Sequence, residues 1–112
     1  MDLQLTVKKV DDQHAIVTLN GRLDVLQTQN VKTEFKKNVD QGIKHIVVDL
    51  ADVSFIDSSG ISSLVAGLKY TREAGGWFRI SGVSGQVKSV LSITKLDRVF
   101  EFYPDASAAL KT

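Results

Sequence analysis

The chain of 112 residues carries 14 Lys+Arg against 13 Asp+Glu, one proline and no cysteine. That length suits a single domain spanning 1–112, and 43% apolar with 24% charged residues is the balance of an ordered, soluble chain. A net charge of +1 without a basic stripe argues against direct nucleic-acid binding, and the lack of cysteine excludes disulfides, thiolate catalysis and cysteine-ligated zinc.

Leu3, Leu5 and Val7 alternate with Gln4, Thr6 and Lys8, the period-two pattern of a half-buried strand. Asp11-Asp12-Gln13 predicts a turn and 15–19 a second strand, together an antiparallel hairpin. Asn20-Gly21 punctuates the chain, and Gly21-Arg22-Leu23-Asp24 continues extended. Over 26–40, Val31, Phe35 and Val39 fall four apart, which predicts a helix with Lys32, Lys36 and Lys37 on its solvated face and Gly42 at its end. The β-branched run 45–50 predicts a strand buried on both faces, and 53–60 reads as a loop leading into a helix. The apolar stripe of that helix is Ile61, Leu64, Val65 and Leu68. Gly75-Gly76 closes it, and 77–81 is a strand with Trp77 expected toward the core. Gly82 to Gly85 leads into a helix bearing Val87, Val90 and Leu91, 99–103 is a last short strand, and Pro104-Asp105 opens a terminal helix with Ala106, Ala109 and Leu110. The order β-β-α-β-α-β-α-β-α implies an α/β domain: a mostly parallel sheet of four to five strands joined by right-handed crossovers, with about four helices packed against it.

No catalytic constellation emerges. His14 and His45 lack a ligand-spaced partner, so no metal site is expected of them. Gly82-Val83-Ser84-Gly85 lacks the spacing of a phosphate-binding turn, so no cofactor is implied, and no serine sits in a G-x-S-x-G elbow. Asp24, Asp49, Asp52 and Asp57 could gather at the carboxyl ends of the strands, where ligands of α/β sheets bind, but no second ligand set accompanies them. The start lacks the basic flank and apolar run of a signal peptide, and no window approaches the ~18 apolar residues of a membrane span, so the expected location is cytoplasmic.

Asp57-Ser58-Ser59-Gly60 stands apart. Three small polar residues follow Phe55-Ile56 at a predicted helix start, where Asp or Ser caps the free amides. Capping needs only one of them, and Ser62-Ser63 adds further hydroxyls. A hydroxyl at a helix N-terminus is a natural phosphorylation site, because the dipole and free amides tolerate the added ~2 negative charges.

At these residues the chain resembles the STAS domains, in particular the bacterial anti-sigma-factor antagonists. The resemblance rests on Val47-Val48-Asp49-Leu50 followed by Val53-Ser54-Phe55-Ile56-Asp57-Ser58-Ser59-Gly60. Leu19-Asn20-Gly21-Arg22-Leu23-Asp24 upstream, and Gly75-Gly76, 87–96 and Val99-Phe100 downstream, match in order and spacing. Many members have a glycine where Ser62 stands. The resemblance implies a STAS fold and phosphorylation-dependent partner switching, not enzyme activity. The unphosphorylated protein would bind an anti-sigma-factor serine/threonine kinase of GHKL type and release the sigma factor. Phosphorylation by that kinase on Ser58 would end the interaction, and a PP2C-type phosphatase would reverse it. The partner surface would comprise Asp24, Asp57, Ser58, Ser59 and Gly60. The alternative implied is a STAS scaffold subunit of a stress-signalling or membrane-transport complex.

Overall fold

In the computed structural model, which describes residues 3–111, strand β1 (Gln4–Lys9) turns at Asp11 into β2 (His14–Leu23). The Asp11 carboxylate closes the turn by accepting from the Gln13 and His14 amides at 2.9 and 2.8 Å. Then follow α1 (Thr28–Asp40), β3 (His45–Ile56), α2 (Ser58–Glu73), β4 (Trp77–Ser81), α3 (Gly85–Ile93), a 3-10 turn (Leu96–Arg98), β5 (Glu101–Tyr103) and α4 (Ala106–Leu110). The five strands lie in the order β1-β2-β3-β4-β5, the first pair antiparallel and the rest parallel.

That order decides the layering. Each parallel step moves the same way across the sheet, so right-handed crossovers place α1, α2 and α3 on one face. One core accordingly joins Val31 and Phe35 of α1, Leu64 and Leu68 of α2, and Val87 and Leu91 of α3 to Ala15, Val17, Leu19, Ile46, Val48, Leu50, Phe78 and Ile80 of the strands. Among the described residues the second face has only the helix α4, whose Ala109 is fully buried, as is Val47 on β3. Arg79 on β4 ties α4 down by donating to the carbonyls of Ala109 and Lys111.

Four expectations are corrected. The segment 53–56 is strand, not loop: β2 and β3 stay paired to Leu23 and Ile56, through register shifts between Thr18 and Asn20 and between Gly21 and Arg22. The buried face of α2 consists of Gly60, Ser63, Leu64, Gly67, Leu68 and Thr71, while Val65 is 43% exposed. The reason is Gly67, against which the rings of Phe78 and Phe35 pack in the space a Cβ would fill. Those rings meet edge to face with centroids 5.2 Å apart, worth about 1 kcal/mol beyond their burial. Ser63 and Thr71 are tolerated there because their hydroxyls donate back to helix carbonyls, Ser63 to Gly60 at 2.6 Å and Thr71 to Gly67 at 3.0 Å. Trp77 is half-buried on the second face rather than in the core. Finally, α1 starts at Thr28, leaving Val25 and Leu26 in the connection before it.

Candidate functional site

At the carboxyl end of β3 the chain passes from Ile56 through Asp57 into α2. Asp57 is extended and caps the helix, its Oδ1 accepting from the Gly60 amide at 2.9 Å. Its other oxygen accepts from the Val25 amide at 3.2 Å, thirty-two residues away in sequence. One carboxylate therefore holds both the start of α2 and the β2–α1 connection. Asp24 braces the same connection, its Oδ1 accepting from Leu26 N at 3.1 Å, with the Arg22 guanidinium 3.7 Å from its Oδ2 and stacked 4.0 Å over the Phe55 ring.

Ser58, the first residue of α2, is exposed, as is Ser62 one turn on; Ser59 is half-buried and Ser63 buried. Gly60, expected at the partner surface, lies beneath it. A Cβ there would strike the Leu23 carbonyl and the Ile56 side chain, so its part is to let α2 close onto β2 and β3. Beside Ser58 the bonds from Asp57 and Asp24 present Val25 and Leu26, which are 66% and 80% exposed. Composition gave no sign of this apolar tip, because 26–40 reads as one helix in which Leu26 counts as a first-turn residue. The same is true of Gln86, whose side-chain amide both accepts from Ile56 N (2.9 Å) and donates to Ile56 O (3.0 Å).

Of the four aspartates, the structure brings Asp24 and Asp57 together on this connection. Asp49 instead accepts from Ala51 N, and Asp52 is exposed. Among the described residues no group of three His, Asp or Glu side chains could hold a metal ion. A concavity of about 320 Å³ between α3 and β5 is lined by Leu91, Phe102 and Tyr103 among others, and Ser58 is not one of them.

The histidines meet at the opposite end of the sheet. His14, His45 and Trp77 are in register on β2, β3 and β4, with ring centroids 4.5 Å apart for the first pair and 4.8 Å for the second, and Arg79 stacks 3.9 Å over Trp77. His14 Nδ1 lies 2.8 Å from the Asp11 carboxylate, and His45 Nδ1 accepts from Trp77 N at 3.3 Å. Burial, and then the nearby charges of His14, Arg79 and Lys44, push His45 below the usual imidazole range, with Asp11 opposing. Hydrogen bonds from the Gln13 amide and from His14 hold Asp11 below its usual value.

A five-stranded sheet carries three crossover helices on one face, and an exposed serine opens the second of them. The chain belongs to the STAS domain family, whose profile it matches over residues 6–109. A Thermotoga neapolitana protein provisionally named an anti-sigma factor antagonist is 36% identical over 104 residues, 92% of each chain. The crystal structure of a Thermotoga maritima protein with the same provisional name is 31% identical, with a TM-score of 0.87 over 95% of this chain and 91% of that one. The unphosphorylated anti-sigma factor antagonist SpoIIAA is 18% identical and shares the fold, with a TM-score of 0.82 over 95% of this chain and 93% of its own. No helix among the described residues is long and apolar enough to cross a membrane.

Proposed function

We propose that this chain is an anti-sigma-factor antagonist whose partner binding is switched by phosphorylation of Ser58. The observation that carries this reading is Ser58 standing exposed at the start of α2, beside the exposed Val25-Leu26 tip held by Asp57 and Asp24. In the unphosphorylated state this apolar tip and the neighbouring hydroxyls dock an anti-sigma-factor serine/threonine kinase of GHKL type, freeing its sigma factor. The names of its relatives support the class of partner. The kinase phosphorylates Ser58, and a PP2C-type phosphatase restores the hydroxyl.

The physics of the switch is local. Phosphate on Ser58 adds bulk and about −2 charge next to Asp57, with Asp24 on the adjoining connection. The helix dipole offsets this while the site is in water. Burial of that charge against a partner without a counter-ion costs several kcal/mol, and each ~1.4 kcal/mol is a tenfold loss of affinity. The fold need not change. Ser58→Asp and phosphorylated protein should therefore lose binding to the cognate kinase by roughly a hundredfold or more, measured by calorimetry, with far-UV circular dichroism and Tm at wild-type values. Equal affinity of the two forms overturns the reading.

A further inference from the structure

We infer that Gln86 is a positioning residue for phosphoryl transfer to Ser58, an inference that rests on the function proposed above. β4 pairs with β3 only from His45 to Asp49. Beyond that point the β4 side of β3 has no strand partner among the described residues, although β3 runs on to Ile56. At its last residue Gln86 substitutes for the missing strand. Its amide takes up both backbone groups that a neighbouring strand would bond, accepting from Ile56 N at 2.9 Å and donating to Ile56 O at 3.0 Å. On the other side of the strand end, the bond from Asp57 N to Leu23 O is long, at 3.4 Å. On its β4 side, the backbone entering Asp57 and Ser58 is therefore held by a side chain from α3, which Val87 and Leu91 anchor in the core.

The consequence for Ser58 follows from how phosphoryl transfer works. The bond between Ser58 Oγ and the γ-phosphorus of ATP forms as the bond from that phosphorus to the β,γ-bridging oxygen breaks. ADP leaves, and the hydroxyl proton passes to a base of the kinase. Such a step is catalysed largely by placement, and a misplacement of about 1 Å can cost a hundredfold in rate. Gln86 belongs to neither the Val25-Leu26 tip nor the Asp24 brace, so its loss leaves those docking groups in place. It releases the strand end that aims the hydroxyl.

The test uses the full chain, the host's cognate anti-sigma-factor kinase and ATP, with Gln86→Leu, which removes both bonds at similar size, and Gln86→Glu, which keeps the acceptor for Ile56 N and loses the donor. Gln86→Leu should lower kcat for Ser58 phosphorylation about tenfold or more while KM for this chain stays within about threefold, and Gln86→Glu should fall between it and wild type. Hydrogen exchange at the Ile56 and Asp57 amides should quicken, with Val17 and Val48 in the sheet centre unchanged. If Gln86→Leu does not fold, Gln86→Glu alone carries the comparison. Wild-type kcat in the folded variants, or a loss confined to KM, overturns the positioning role and leaves the proposed function standing. Failure of the kinase to phosphorylate wild-type Ser58 overturns both.

Discussion

The two ends of β3 use polar side chains in opposite ways. At the amino end, His14, His45, Trp77 and Arg79 stack on one another and Asp11 closes onto His14, so these side chains cover one another even where Arg79 also donates to the carbonyls of Ala109 and Lys111. At the carboxyl end, Asp57, Asp24 and Gln86 reach backbone groups without stacking on one another. Bonds of that kind fix the course of the chain without covering it, and they leave Ser58, Val25 and Leu26 facing water. The end with the more reactive residue types is thus the one whose side chains cover each other. The carboxyl end, where carboxylates and an amide hold backbone, is built to display a surface.

Substitutions can break this contrast. The largest effect is expected for Gly60→Ala, because the added methyl meets the Leu23 carbonyl, a backbone atom with nowhere to move. A destabilisation of about 3 kcal/mol and a Tm lower by roughly 10 °C or more are expected, read by calorimetry. An unchanged Tm would show that α2 is not seated so tightly on β2 and β3. Next comes Asp57→Ala, which removes the α2 cap and the anchor of the β2–α1 connection together. It should cost about 1–2 kcal/mol in urea unfolding and also weaken partner binding, whereas Leu26→Ala should weaken binding with stability within about 0.5 kcal/mol of wild type. Equal stability losses in the two variants would erase the distinction between a holding and a displayed residue.

The smallest effect belongs to the histidine end. His45 has its folded value below the ordinary 6.5, so the unfolded chain binds the proton first. Stability is full above that pH and falls as pH drops through about 6.5 toward the lowered folded value. Urea unfolding followed by the fluorescence of Trp77 at pH about 7.5 and about 5.5 should show a small acid loss that His45→Gln flattens. The same loss in His45→Gln would assign it to other groups.

Much of this was legible in the sequence. Alternation marked β1, four-residue spacing marked α1, and Pro104-Asp105 marked the start of α4, whose Asp105 caps Ala108 N. These are local rules, satisfied within a few residues. The Asp57-Ser58-Ser59-Gly60 start of α2 was legible for the same reason. What escaped depends on contacts across the fold. The strand 53–56 exists because β2 extends to meet it, and α2 is turned toward Gly67 because two phenylalanine rings from α1 and β4 arrive there. The Asp57–Val25 and Gln86–Ile56 bonds span thirty-two and thirty residues, so no window of sequence contains either pair.

The simple succession β1-β2-β3-β4-β5 bears on how the protein is made. Because each strand lies beside the one synthesised just before it, a chain leaving the ribosome can add strands to a growing edge, without waiting for distant segments to return. The Ser58 surface is the exception, since its last support, Gln86, emerges twenty-eight residues after Ser58 itself. A nascent chain stalled between them presents the serine before the strand end behind it is secured.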